Sequence, residues 1–147
     1  MKTITSLTSR ILFSLLFLVS GVSHFSAPTI AYASSQGVPL AELMVPFSGA
    51  MALAGALSII LGYKARLGAL LIIMFLVPIT FTMHQFWVET DPMAYQMQFI
   101  MFLKNLSILG GAIQIVLTGI KESSLDQVLA RRKHGLDKNR VFTPAQS

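Results

Sequence analysis

Four polar residues stand inside or at the rims of long apolar runs: His24, His84, Lys104 and Asn105. An imidazole exchanges a proton near neutral pH, an ammonium donates hydrogen bonds, and a carboxamide both donates and accepts. Such a set suits the head group of a quinone, with Lys104 or a histidine donating to a carbonyl oxygen while apolar helices take the tail. It does not suit self-sufficient catalysis. The sequence has no carboxylate pair placed for acid and base, no phosphate-cradling Gly-rich loop and no nucleophile with a spaced base. With no cysteine, disulfides and thiolate metal sites are excluded, and thiol redox chemistry needs a partner. Met93, Met97 and Met101 recur every four residues, but Lys104 on the same stripe would repel a cation, so they read as packing residues and no metal site is expected.

Lys104 is the most informative of the four. It falls about 10 Å inside the last apolar run at 1.5 Å per residue, and a lysine at a membrane-helix centre costs about 2.5–3.5 kcal/mol. Two routes offset that cost. Its stem can snorkel towards the interface, or its ammonium can enter a polar site within the bundle. Met97, Met101, Lys104, Ile108 and Gly111 share a stripe at three- and four-residue intervals, and Gly111 suggests that the stripe packs on another helix. On the second route Asn105, His84 and His24 are its neighbours.

The elements that must position these residues follow from composition. Of 147 residues, 54% are hydrophobic and only 12% charged, which points to lipid as solvent. Four apolar runs, at about 7–25, 43–61, 67–87 and 97–120, each approach the length needed to span the hydrocarbon. They lack the alternation of a membrane β-barrel, so the expected fold is all-α: one domain over 1–147, an integral membrane four-helix bundle with a tail at 121–147. Ala31-Tyr32-Ala33 imitates a signal cleavage site but lies too far beyond Phe25, so the first run reads as a span.

The basic residues set the orientation. Lys2 and Arg10 precede helix one, Lys64 and Arg66 lie between helices two and three, and the tail carries the rest except Lys104. The other two loops hold only Glu42, Glu89 and Asp91 as charges, so both termini are expected in the cytoplasm. The net charge of +5 therefore reads as membrane orientation rather than nucleic-acid binding, since no aromatics interleave the basic residues.

Gly21, Gly49, Gly55, Gly110 and Gly111 are candidates for close helix packing. Pro46 is expected in the first turn of helix two, and Pro78 inside helix three as a kink. In the 26–42 loop, Pro28 and Gly37 would start and stop a short interfacial helix, the alternative being an irregular loop. Trp87 suits an aromatic belt. Ser124-Leu125-Asp126-Gln127 has capping-box spacing, opening a short amphipathic helix on the inner leaflet that would bring Arg131, Arg132 and Lys133 to lipid headgroups.

Gly21-Val22-Ser23-His24-Phe25, Gly62-Tyr63-Lys64-Ala65-Arg66, His84-Gln85-Phe86-Trp87, the run from Phe102 to Gly111 and Ser124-Leu125-Asp126 together resemble the DoxX family. The Lys104-Asn105 pair followed by Gly110-Gly111, and then Ser-Leu-Asp beyond the membrane, are the most specific part. The resemblance implies a four-helix module of the bacterial inner membrane, sometimes tied to quinone-linked sulfur oxidation or to redox partner complexes. Two positions depart from the pattern: family members commonly have a lysine in place of His24, and a glutamate within helix two where Ala50 to Leu53 are apolar here.

The expected function is a subunit or accessory of a redox or quinone-linked membrane assembly, with quinone as the candidate cofactor. Its expected partners are the lipid bilayer and either redox proteins or further copies of the chain. A small-solute permease and a purely structural scaffold are the alternatives. The apolar inner halves of the helices speak against the first, and a stability role for Lys104 without any ligand would mark the second.

Overall fold

Residues 2–120, 124–130 and 132 are described by the structure, a computed structural model. Five α-helices follow one another: α1 (Lys2–Ser23), α2 (Ala27–Ser35), α3 (Ala41–Leu61), α4 (Ala65–Met83) and α5 (Pro92–Thr118), with a 3-10 turn at Phe86–Val88 before α5. Residues 125–130 are also helical, and no strand occurs among the described residues. Helices α1, α3, α4 and α5 are long and apolar enough to cross a membrane, so the all-α four-span architecture read from composition is the one found.

The helix ends follow local chemistry. Helix α5 starts five residues before the apolar run, at Pro92, because the Asp91 carboxylate accepts from the Ala94 N–H at 2.8 Å and a proline suits the first turn. Helix α3 starts at Ala41, so Pro46 lies in its interior rather than in the first turn, a correction to the expectation. Helix α4 ends at Met83, short of Trp87, and it runs uninterrupted through Pro78. The 26–42 loop does contain a short helix: Pro28 sits at the start of α2, and Gly37, at φ +80°, ends the segment.

In a membrane, helix pairing rests on packing rather than on removal of apolar surface from water. Helix α1 packs on α3, α3 on α4 and α4 on α5. The buried face of α1 is Arg10, Ser14, Phe17 and Gly21, a four- and three-residue spacing that makes one stripe. Gly21 and Gly49 bring α1 and α3 close: a methyl at Gly49 would meet the Gly21 carbonyl at 2.8 Å and the His24 Cβ at 2.6 Å. Gly55 and Gly68 do the same for α3 and α4. Phe17, Ile59, Ile72 and Phe75 fill the middle. A third of the apolar windows of α3 and α4 is buried, against 11% for α5, so α5 is the peripheral helix.

Gly62, in the α3–α4 turn, lies against both Arg10 of α1 and Ser124 beyond α5, so the two ends of the described chain meet at one end of the bundle. This is the terminal end. The opposite, far end carries α2 and the 3-10 turn.

Candidate functional site

The inward face of α5 is set by a seven-residue recurrence of Gln98, Asn105 and Ala112, two turns apart. Two of these side chains make hydrogen bonds to α4 or to the residue that caps it. The Asn105 Nδ2 donates to Thr80 Oγ1 at 3.1 Å, and that hydroxyl donates to the Leu76 carbonyl at 2.6 Å; both side chains are buried. One α4 turn further out, His84 Nδ1 and Gln98 Oε1 are 2.8 Å apart. The sequence placed Asn105 and His84 near one another, and the structure connects them as neighbouring rungs of a polar ladder. Thr80 and Gln98 complete it. Gln98 is on the Asn105 face at i−7, a spacing that identifies it from sequence.

His24 is elsewhere. Its Nδ1 lies 2.6 Å from the Ser20 carbonyl in its own helix, and its ring faces Phe75 at 5.4 Å between centroids. Because a carbonyl or amide oxygen can only accept, both histidines donate through Nδ1. In the neutral form each therefore offers Nε2 as an acceptor, not as a donor. The expectation that a histidine donates to a ligand carbonyl thus meets a tautomer of the opposite sense.

Lys104 does not join the ladder. One residue from Asn105 is about 100° around the helix, and the Lys104 side chain is exposed on the flank of the bundle. Its Nζ donates to Met101 Sδ at 3.1 Å. Gly111, two turns along the same flank, abuts Phe13 of α1, where a methyl would come within 3.2 Å of the ring. The Lys104 flank of α5 is thus the one turned towards α1, not towards the interior. Gly110 faces open space, with nothing within 4 Å of an added methyl.

Around the outer rung, aromatic rings interlock edge to face. Phe86 packs on Trp87, Tyr95, Phe99 and Phe102 with centroids 5.1–5.6 Å apart, and Phe81 packs on Phe102. This network joins the 3-10 turn to α5 and leaves Trp87 half exposed, as an interfacial residue would be.

The terminal end holds Arg10, read from sequence only as an orientation signal, and the Ser124–Asp126 segment, read as a helix start and as part of the family resemblance. Arg10 is 5% exposed, well within α1, and its Nε donates to the Ser6 carbonyl at 3.1 Å. Its place on the stripe with Ser14, Phe17 and Gly21 was the available signal. Asp126 Oδ2 accepts from the Lys64 N–H at 2.9 Å, and Ser124 is buried beneath Gly62. Ser124 Oγ accepts from the Gln127 N–H at 3.3 Å, the N-cap half of a capping box at the start of helix 125–130. Of the basic tail triplet, Arg132 is exposed, while Arg131 and Lys133 lie outside the described residues. No cluster of three or more metal-ligating side chains occurs among the described residues.

Comparison with known proteins agrees with this architecture. The DoxX family model matches residues 5–85, which holds α1 to α4 but stops before α5. The inner membrane protein YqjF of Escherichia coli K12 is 30% identical over 128 residues, covering 86% of this chain and 92% of its own. The inner membrane protein YphA of the same organism is 30% identical over 123 residues, covering 82% and 87%. No solved structure matches. With more than half the chain matched by the family model, and these inner-membrane relatives aligned almost end to end, this four-span membrane protein belongs to the DoxX family.

Proposed function

We propose that the chain is a subunit or accessory of a quinone-linked redox assembly of the bacterial inner membrane, both termini cytoplasmic, and that Lys104 contacts the quinone head group. The observation that carries this reading is a lysine on the exposed flank of a membrane helix whose ammonium meets a thioether. A thioether is a weak acceptor. Lys104 lies six residues below the His84–Gln98 rung, about 9 Å along α5, where a lysine is costly. A carbonyl oxygen arriving from the lipid phase would supply the strong acceptor that sulfur does not. The exposed flank suits a ligand that partitions into the bilayer, since such a ligand reaches Lys104 without passing through the bundle.

In this reading the roles divide by chemistry. Lys104 donates to a quinone carbonyl, while the Nε2 atoms of His24 and His84 are acceptors suited to a reduced, hydroxyl-bearing form. The Thr80–Asn105 rung holds α5 in register with α4 and so fixes the side of α5 that carries Lys104. Electrons come from and go to partner proteins, in keeping with the lack of a redox group in the sequence.

The test is purification of the full chain from native membrane in mild detergent, with identification of the quinones and proteins retained. Lys104→Met should lower quinone retention by about tenfold, the effect of one charge-assisted hydrogen bond. Unchanged quinone binding in both Lys104→Met and His84→Ala would refute the proposal.

A further inference from the structure

Beyond α5 the chain returns to the bundle. Ser124 is buried beneath Gly62, the Asp126 N–H donates to the Gly62 carbonyl at 3.4 Å, and the Asp126 carboxylate accepts from the Lys64 N–H at 2.9 Å. These contacts hold helix 125–130 against the turn that joins the spanning helices α3 and α4. A turn between two membrane crossings stands at the boundary of hydrocarbon and water, so helix 125–130 begins at that depth.

At 100° per residue, Leu125, Val128, Leu129 and Arg132, which is also helical, fall within an arc of about 100°. All four are exposed, the three apolar side chains by 40%, 59% and 49%. Asp126, the residue held by the turn, stands about a quarter turn from the centre of that arc. Gln127 lies on the opposite side of the helix from the arc.

We infer that helix 125–130 docks on the anionic lipid surface at the terminal end, with Leu125, Val128 and Leu129 set among the acyl chains and Arg132 drawn to phosphates. Three observations select lipid as the occupant. The first is direction. A helix lying flat on a bilayer beside a membrane bundle meets protein and lipid at right angles, and Asp126 and the apolar arc are disposed in that way. The second is depth, since the turn contact leaves the apolar arc within reach of the acyl chains, where burial removes it from water. The third is charge. Arg132 shares the apolar arc, and Arg131 and Lys133 flank it in the sequence, whereas the carboxylate of Asp126 is turned onto the Lys64 N–H. An arginine stem lies along apolar surface while its guanidinium reaches headgroup phosphate, so the face suits an anionic leaflet. The surface is at the opposite end of the bundle from His84, and its assignment is independent of the quinone reading.

The test uses the full-length protein, whose lack of cysteine lets one environment-sensitive fluorophore be placed at Val128→Cys or at Gln127→Cys. Each labelled protein is reconstituted in vesicles of phosphatidylglycerol with phosphatidylethanolamine, or of phosphatidylcholine alone, with nitroxide-bearing lipid as quencher. In the anionic vesicles the probe at position 128 should shift to the blue and be quenched by the lipid, and the probe at position 127 should be quenched far less. Phosphatidylcholine alone should weaken the quenching at 128. Arg132→Gln should lower the ratio of shielded to exposed probe about fivefold, the share of one basic residue at an anionic surface. Leu129→Ser should reduce the same ratio in both kinds of vesicle. A probe at 128 as wet as the one at 127, or shielding indifferent to lipid charge, would overturn the assignment. Shielding found only in native membranes would also overturn it, by giving the face to a protein partner.

Discussion

Asn105 and Lys104 are adjacent in sequence and opposite in circumstance, and the difference is one step of helical rotation. The carboxamide enters the bundle and bonds Thr80, while the ammonium stays on the flank beside Met101. Interhelical hydrogen bonds of this kind contribute modestly in membranes, because the separated helices find other partners. A double-mutant cycle with Thr80→Val and Asn105→Leu, read by unfolding in mixed detergent, should give a coupling of about 0.6 kcal/mol. A coupling near zero would mean that the rung is an incidental contact. The spacing of Asn105 from Gln98 and Ala112 was visible in the sequence, and so was the polarity of Lys104. Which member of the pair faces inward was not, since Gly111 marks a flank that touches α1 and not the centre of the bundle.

At the scale of elements, the turn between α3 and α4 depends on residues sixty positions downstream. Helix α3 ends in a Schellman closure, with Gly62 N–H donating to Ile59 and Tyr63 N–H to Ser58. Lys64 then takes a left-handed conformation, φ 46° and ψ 41°, at the start of α4. For a residue with a Cβ this costs about 1–2 kcal/mol. The Asp126 carboxylate accepts from the same residue's N–H and places negative charge at the N-terminus of α4. Asp126→Ala should lower stability by about 1 kcal/mol and Asp126→Asn by less, since the amide oxygen still accepts. Faster limited proteolysis at Lys64 and Arg66 in the alanine variant would confirm where the loss lies; unchanged cleavage would place the role of Asp126 elsewhere. The Gly-Tyr-Lys-Ala-Arg and Ser-Leu-Asp segments that mark the family resemblance are thus two halves of one contact.

For the whole molecule, an even number of crossings brings both termini to one side, and the cytoplasm is the side we propose from the charge distribution. Because the chain has no cysteine, single introduced cysteines report sidedness without background. In intact cells, Asp91→Cys should react with a membrane-impermeant maleimide, and Gln127→Cys should react only after permeabilisation. The reverse pattern would invert every leaflet assignment made above. The peripheral position of α5 also matters at this scale. With one face on α4 and most of its surface towards lipid, it can present Lys104 near the far end.

The sequence by itself determined that the backbone spans a bilayer four times, because unsatisfied peptide groups are intolerable in hydrocarbon and the apolar runs have helical length and no barrel alternation. It also offered a short helix in the 26–42 loop, through Pro28 and Gly37, as one of two readings, and the structure has that helix at Ala27–Ser35. Only the tertiary structure decided how helices rotate about their axes and which neighbour each one meets. Rotation follows from close contacts such as Gly21 on Gly49, and these depend on shape matched between segments far apart in the chain. That rotation buries Arg10, pairs Asn105 with Thr80 and leaves Lys104 exposed on the flank of the bundle.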